Sequence, residues 1–467
     1  MDPTRQDNLS RNSQRLASEF KTSGNALSNT SESQTNSESV SSLGSDTNSL
    51  PASVKVTSWK HPRPIERFFT WMLRNLRGGS LQITFPSGAQ TIIGDSSFPL
   101  FQLKIKNPNF FNKVLSGGSV GFGESYVEGD WDTPDLSGLL LLLAKNQKDL
   151  GRVGRGFSII AKQANRIYHK ARRNTLGRSK ENIQAHYDLS NDFYQTFLDP
   201  SMTYSSALFQ SLEESLEQAQ FNKIDRMLDL AHVGEGDSIL EIGSGWGALA
   251  LRAAQRGCRV KTITLSNEQY TYAKDLFERE GVSDHVEIVL EDYRIQTGLY
   301  DAVLSCEMIE AVGREYLDSY FQIVSQSLKP KGRAVIQAIT IPDERYESYC
   351  RSCDWIQKHI FPGGHLPSPS AIREHIVRAG EATEVKMESF GHDYAKTLRR
   401  WATSFNAAES VVEGLGFDKA FRRKWNYYLS YCEAGFDADL IDVQHVVIEK
   451  DQLANPGSLS TTIKTVQ

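Results

Sequence analysis

Cysteine is scarce in this chain, with five in 467 residues. So few cannot form a disulfide framework, and their scarcity points to a reducing, cytoplasmic compartment. Long apolar runs are missing as well. The longest, "LLLLLA" at 139–144, falls far short of the roughly 20 residues a spanning helix needs. An integral membrane protein is therefore not expected. The polar first 50 residues give no sign of a secretory leader. No strong excess of one charge is present either. A formal net charge of −5 argues against wholesale nucleic-acid binding. Aromatics are nearly absent from residues 1–50, which hold 13 Ser and a single ring, Phe20. Such a segment cannot bury enough apolar surface to offset its ordering entropy. Residues 1–55 are read as a disordered Ser/Asn-rich tail.

Organised patterning begins near Trp59. In "PIERFFTWMLRNLRGG", Ile65, Phe68, Phe69, Met72, Leu73 and Leu76 fall at helical spacing, and Gly78 and Gly79 stop the helix. "LQITFPSGAQTII" reads as two strands around a turn. "GFGESYVEGDWDTPDLSGLLLLLAKN" reads as a loop followed by a helix. Residues 56–150 thus form a small α+β amino-terminal domain. Residues 151–180 carry nine Lys or Arg and no acid. The segment 151–185 is either a basic helix attracted to an anionic membrane surface or a solvated linker packed on its own protein.

From about Asp237 strands and helices alternate. "SILEIG" (238–243), "RVKTITL" (259–265), "VEIVL" (286–290), "YDAVLS" (300–305) and "RAVIQAI" (333–339) predict a doubly wound α/β sheet, with its crevice at the strands' carboxyl ends. The first strand runs into "LEIGSGWGALAL". Gly243, Gly245 and Gly247, with Ser244 between them, make a tight strand-to-helix turn that a ligand can approach closely. The spacing is not the dinucleotide fingerprint. Glu241, two residues before the first glycine, suits a ligand carrying ammonium or sulfonium charge. A purely structural turn is the alternative. Thr264, Leu265 and Gln269 end the second strand, where uncharged groups can bond hydroxyls. Asp292 and Tyr293 follow the third, placed for an exocyclic amine and a ring face. "CEMIEAVG" puts Glu307 and Glu310 after the fourth. Glu310 either serves a positively charged reacting centre or caps the next helix. Glu307 is read as the structural acid of the two. One C-x-x-C, Cys350 and Cys353, cannot make a tetrahedral zinc site, so no metal is expected.

These segments, with "HYDLSNDFYQTFLDPSMTYSSALF", "IFPGGHLPS", "HDYAKTLRRW" and "YYLSYCEAGF", occur in the order found in cyclopropane-fatty-acyl-phospholipid synthases. The chain resembles the long form of that family over nearly everything after residue 56. The resemblance implies a class I methyltransferase sheet, Rossmann-like, over 186–467 with a helical acyl-binding insertion. It implies S-adenosylmethionine as donor, bound by the glycine turn and by Tyr204 and Ser205, and an unsaturated phospholipid as acceptor. It also implies a bicarbonate base held by Glu310, Tyr394 and the backbone N–H groups of Ser206 and Ile339. The family's histidine corresponds here to Gln337, and its "EH" to Glu310-Ala311. Cys432 matches a cysteine discussed as catalytic, although its apolar surroundings suit a packing role. The expected activity is cyclopropane formation on a phospholipid acyl chain by a peripherally membrane-associated enzyme, with room for a homodimer. The alternatives are a lipid C-methyltransferase giving a methyl- or methylene-branched acyl or sphingolipid product, and a catalytically silent lipid-binding protein.

Overall fold

The computed structural model describes residues 62–95, 99–148, 189–380 and 382–451. The expected tail, the basic segment 151–185 and His186, Tyr187 and Asp188 lie outside the described residues.

The first helix runs Pro64–Met72, with proline at its start and Glu66 reaching back to the Arg63 N–H. The anticipated hairpin forms as β1 (Ser80–Thr84) and β2 (Gln90–Gly94). A third strand, β3 (Leu100–Ile105), lies parallel to β1, and a two-residue β4 (Trp131–Asp132) closes the small sheet in the order β2-β1-β3-β4.

"GFGESYV" is not the expected loop. It is the second half of a helix, Asn109–Val127, bent where Gly118 turns to φ 57°. Its glycines serve close packing. A Cβ on Gly123 would stand 2.6 Å from the rings of Trp355 and Tyr427, and one on Gly121 would stand 2.0 Å from the Lys113 carbonyl. Composition alone reads such glycines as loop formers, because the neighbours that demand them are distant in sequence.

The large sheet follows. β5 (Ser238–Ile242), β6 (Arg259–Thr264), β7 (Val286–Leu290), β8 (Tyr300–Cys306) and β9 (Leu328–Thr340) are parallel, and each contains or overlaps its expected segment. Two further strands, β10 (Ala382–Ser389) and β11 (Asp442–Lys450), complete the order β10-β11-β9-β8-β5-β6-β7. β11 runs antiparallel to both of its neighbours. The strand order reverses between β5 and β8, because the sheet continues from β5 to β6 and β7 on one side and from β8 to β9 on the other. That switch point is where a doubly wound sheet opens a ligand crevice.

Between β10 and β11 the chain inserts helices Gly391–Ala407, Glu409–Gly414 and Lys419–Asp437. The last packs on the amino-terminal helices, so the described residues share one fold. Arg423 ties the two parts together. It donates to the Tyr126 carbonyl at 2.7 Å, the Trp131 carbonyl at 2.9 Å and Asp132 at 2.7 Å, with its guanidinium over the Tyr126 ring. Ser137 reaches across in the same way to Glu433 at 2.6 Å.

Arg423→Ala removes a charged donor from two carbonyls and from Asp132, which keeps Lys106. It should lower unfolding stability by about 2–3 kcal/mol in urea titrations, as expected for lost bonds to a charged group. The exposed Arg351→Ala should change stability by less than about 0.5 kcal/mol.

Candidate active site

The crevice at the β5/β8 switch is lined first by the glycine turn. Gly243, Gly245 and Gly247 adopt φ of 94°, 50° and 99°, all in the left-handed region that favours glycine. A Cβ on Gly245 would meet nothing within 4 Å, whereas one on Gly247 would press on Phe277 and Ala273 at 3.0 Å. Gly245 therefore faces open space, and Gly247 lets the following helix, Ala248–Gln255, pack on its neighbour. Ser244 is buried, its hydroxyl on the Gly245 carbonyl.

Glu241 lies beneath the turn, fully buried, accepting from Thr262 at 2.5 Å. Burial pushes its pKa up to about 8. Thr264 and Gln269 are buried and bonded to each other at 3.0 Å, with half-buried Leu265 between them in sequence. Asp292 spends both carboxylate oxygens on Arg294, at 2.9 and 2.6 Å. Tyr293 packs edge-on to Tyr320 at 5.6 Å.

Tyr204 joins an aromatic cluster with Tyr194, Trp246 and Trp401, and its hydroxyl meets that of Tyr428 at 2.8 Å. Ser205 takes the ammonium of Lys223 at 2.7 Å. Sequence reasoning missed Lys223. It is 1% exposed, and its charge favours ionisation of Glu241, Glu307 and Asp199. The signal was present: Ala219, Gln220, Lys223, Ile224 and Met227 form the buried stripe of one helix.

The two acids after β8 divide the work differently from expectation. Glu307, read from sequence as the structural acid, collects the donors. Ser206 N–H and the Gln337 amide give 2.8 Å bonds to its Oε1, and the Tyr394 hydroxyl gives a 2.7 Å bond to Oε2. Glu310 takes only the Ile339 N–H at 2.5 Å, and its Oε2 is buried without a hydrogen-bond partner. Nor does Glu310 cap the next helix, which starts at Leu317.

Burial raises both pKa values. At Glu307 three donors and Lys223 oppose the rise. At Glu310 burial and then the neighbouring Glu307 charge push the pKa up to about 8, against the Ile339 N–H and its own backbone N–H. The three donors and the Lys223 charge thus favour the ionised form at Glu307, and the neighbouring Glu307 charge favours the protonated form at Glu310.

Behind Gln337 stands His445, its cross-strand partner on β11. A carboxylate only accepts, so the Gln337 NH2 must face Glu307, and its carbonyl takes the His445 Nε2–H at 3.0 Å. Burial holds His445 neutral, with its pKa lowered to about 3.

Both acids open on a cavity of 950 Å³. Tyr204, Tyr394, Tyr428 and Cys432 line the end near the acids, and Leu81, Leu103 and Leu140 of the amino-terminal part line the other. This is the size and apolar character of a long-chain ligand site. Burial keeps Cys432 a protonated thiol, so it forms wall and supplies no thiolate.

A protein-family model described as mycolic acid cyclopropane synthetase matches residues 174–446. The chain is 39% identical over 371 residues to tuberculostearic acid methyltransferase UfaA1 of Mycobacterium tuberculosis, spanning 78% of this chain and 86% of that protein. It is 33% identical over 362 residues to cyclopropane-fatty-acyl-phospholipid synthase of Escherichia coli, spanning 74% and 87%. A crystal structure of mycolic acid cyclopropane synthase CmaA1 complexed with SAH and CTAB superposes with a TM-score of 0.55 at 31% identity, over 58% of this chain and 98% of that one.

Glu310's folded pKa lies above its unfolded value. Its contribution to stability is thus complete below about pH 4.5 and is lost as pH rises towards 8. Glu310→Gln removes that titration. Denaturation midpoints measured from pH 5 to 8 should fall less steeply in the variant than in the wild type. Parallel slopes would refute the assignment of the proton.

Proposed function

Since the chain belongs to the mycolic acid cyclopropane synthetase family, whose S-adenosylmethionine-dependent members modify lipids, we propose that it converts the cis double bond of an unsaturated phospholipid acyl chain into a cyclopropane. The observation that carries this reading is the pair of buried acids, one held by three donors and one with an unbonded oxygen, in the wall of a large apolar cavity.

The residues fit the donor. The turn at 243–247 leaves open space at Gly245, and Tyr204 and Ser205 stand beside the crevice with their positions fixed by Tyr428 and Lys223. When bound, the donor supplies an electrophilic methyl on sulfonium.

An isolated alkene is a weak nucleophile, so the chain must be held in line and close. The walls from Leu81 to Leu140 and the tyrosine cluster do this while excluding water, which would capture a carbocation. Tyrosine faces and the free Glu310 oxygen face the developing positive charge. A cation beside Glu310 also favours loss of its proton, so that this acid gains negative charge as the positive charge develops. Ring closure then requires removal of a proton from the transferred methyl. A base already at the cavity wall removes it before a hydride can migrate along the chain, which favours the ring over a branch.

The likeness to tuberculostearic acid methyltransferase supports a second reading, a methyl- or methylene-branched product from the same cation. The sphingolipid and catalytically silent alternatives have no feature of the site in their favour.

Access from a bilayer is served by the first helix. Phe69, Met72 and Leu73 line the cavity, while Trp71 is 47% exposed, stacked on Phe68 and covered by Arg74 at 4.4 Å. An aromatic ring among arginines suits an anionic lipid surface.

Incubation with labelled donor and monounsaturated phospholipid vesicles, followed by mass spectrometry of the fatty acids, tests the reaction. A gain of one methylene, about 14 Da, that survives hydrogenation as a ring supports the main reading. An unsaturated or saturated branch supports the second, and no added carbon rejects both. Trp71→Ala should weaken flotation with anionic vesicles by about tenfold, the loss expected for one buried interfacial ring. Unchanged flotation would remove this helix from the docking surface.

A further inference from the structure

We infer that the carboxylate of Glu307 is this protein's own proton acceptor, standing where the family resemblance expects a captured bicarbonate ion. The inference rests on the lipid-modifying reading above and deepens it.

The expected ion needs the Ser206 and Ile339 N–H groups, the Tyr394 hydroxyl and the side chain at 337. Each of these donors already has an acceptor within the chain. Ser206 N–H, Gln337 and Tyr394 converge on Glu307 at 2.8, 2.8 and 2.7 Å, and the Ile339 N–H is taken by Glu310. A bicarbonate ion would find no free donor among them, and it would enter a buried site already holding the Glu307 charge. The residues present do not fit it.

They do fit a built-in base. A carboxylate offers about four lone-pair positions. Two donors occupy Oε1 and one occupies Oε2, which leaves one position on Oε2 for a proton. Glu307 lines the cavity wall beside Glu310, Ile339 and Tyr394.

The backbone is bent to achieve this placement. Glu307 sits at φ 49°, in the left-handed region that a glutamate adopts only under constraint. Its N–H is held by the Gln337 carbonyl at 2.8 Å. Strain at a residue whose side chain reaches three donors is a mark of function.

Gln337 suits the same role. It donates without carrying charge, and neutral His445 fixes its orientation from behind. A cationic imidazole in its place would stabilise the carboxylate and weaken it as a base. The amide positions Glu307 and leaves it basic.

The step balances within the chain. The C–H bond of the transferred methyl breaks, and its electron pair closes the ring onto the cationic carbon. The proton ends on Glu307 Oε2 and passes to solvent when the lipid leaves.

The test uses the full-length protein in decarbonated buffer under argon, with and without added bicarbonate. Wild-type turnover should agree between the two within about twofold, since no exogenous base is involved. Glu307→Gln should lose about 10²- to 10⁴-fold in turnover, the usual worth of a general base, while binding the donor with near wild-type affinity in calorimetry. Glu307→Gly relieves the backbone and frees the three donors. It should be inactive alone, regain at least about tenfold with bicarbonate, and bind ¹³C-bicarbonate by NMR where the wild type does not.

Wild-type turnover that collapses without bicarbonate, or apo wild-type protein that binds it, overturns the inference. So does a folded Glu307→Gln variant with wild-type rates. If the wild type adds carbon to lipid only with bicarbonate, this inference fails and the functional reading survives. If it adds none in either buffer, the functional reading fails with it.

Discussion

One buried carboxyl group, that of Glu307, organises this molecule. The Glu307 carboxylate is removed from water, and an unpaired buried carboxylate is among the costliest features a fold can hold. Its stabilisation comes from distant stretches of chain: Ser206 in the loop before the large sheet, Gln337 on β9, Tyr394 on the inserted helix, and the field of Lys223. Those stretches can meet only when the sheet, the loop and the insertion are all in place. The site is therefore as much a product of the whole fold as of the strand that carries the acid.

The cavity imposes the second constraint. A cationic carbon survives only away from water, and the methyltransferase sheet alone cannot enclose a long acyl chain. Helices from the amino-terminal part supply the far wall. They are drawn close to Lys419–Asp437 by Gly123 against Tyr427 and by the Arg423 bonds to Tyr126, Trp131 and Asp132. Cys432 and Tyr428 on that same helix line the apolar cavity, so the contact that joins the two parts also shapes it.

The parallel strands were legible because each is a short apolar run bounded by turn residues, and the glycine turn because its context of strand and helix was visible. β10 and β11 escaped notice: both follow or interrupt helical stretches, and their antiparallel pairing is a property of the assembled sheet. At the site, the family resemblance grouped Ser206, Gln337, Ile339 and Tyr394, and all four bond to the two acids. It could not assign them between two glutamates three residues apart. That choice depends on the left-handed turn at Glu307 and on which carboxylate each donor reaches. Likewise His445 lies 108 positions from Gln337 in sequence, and strand pairing alone makes them partners.

The central claim is that, of two adjacent buried acids, Glu307 holds the charge and Glu310 the proton. Infrared difference spectra at neutral pH on protein labelled with ¹³C at the glutamate carboxyl carbons test it directly. Glu307→Gln should remove a buried carboxylate band, and Glu310→Gln should remove a buried protonated-acid band. If the two variants exchange those signatures, or if neither removes an ionised band, the account is contradicted.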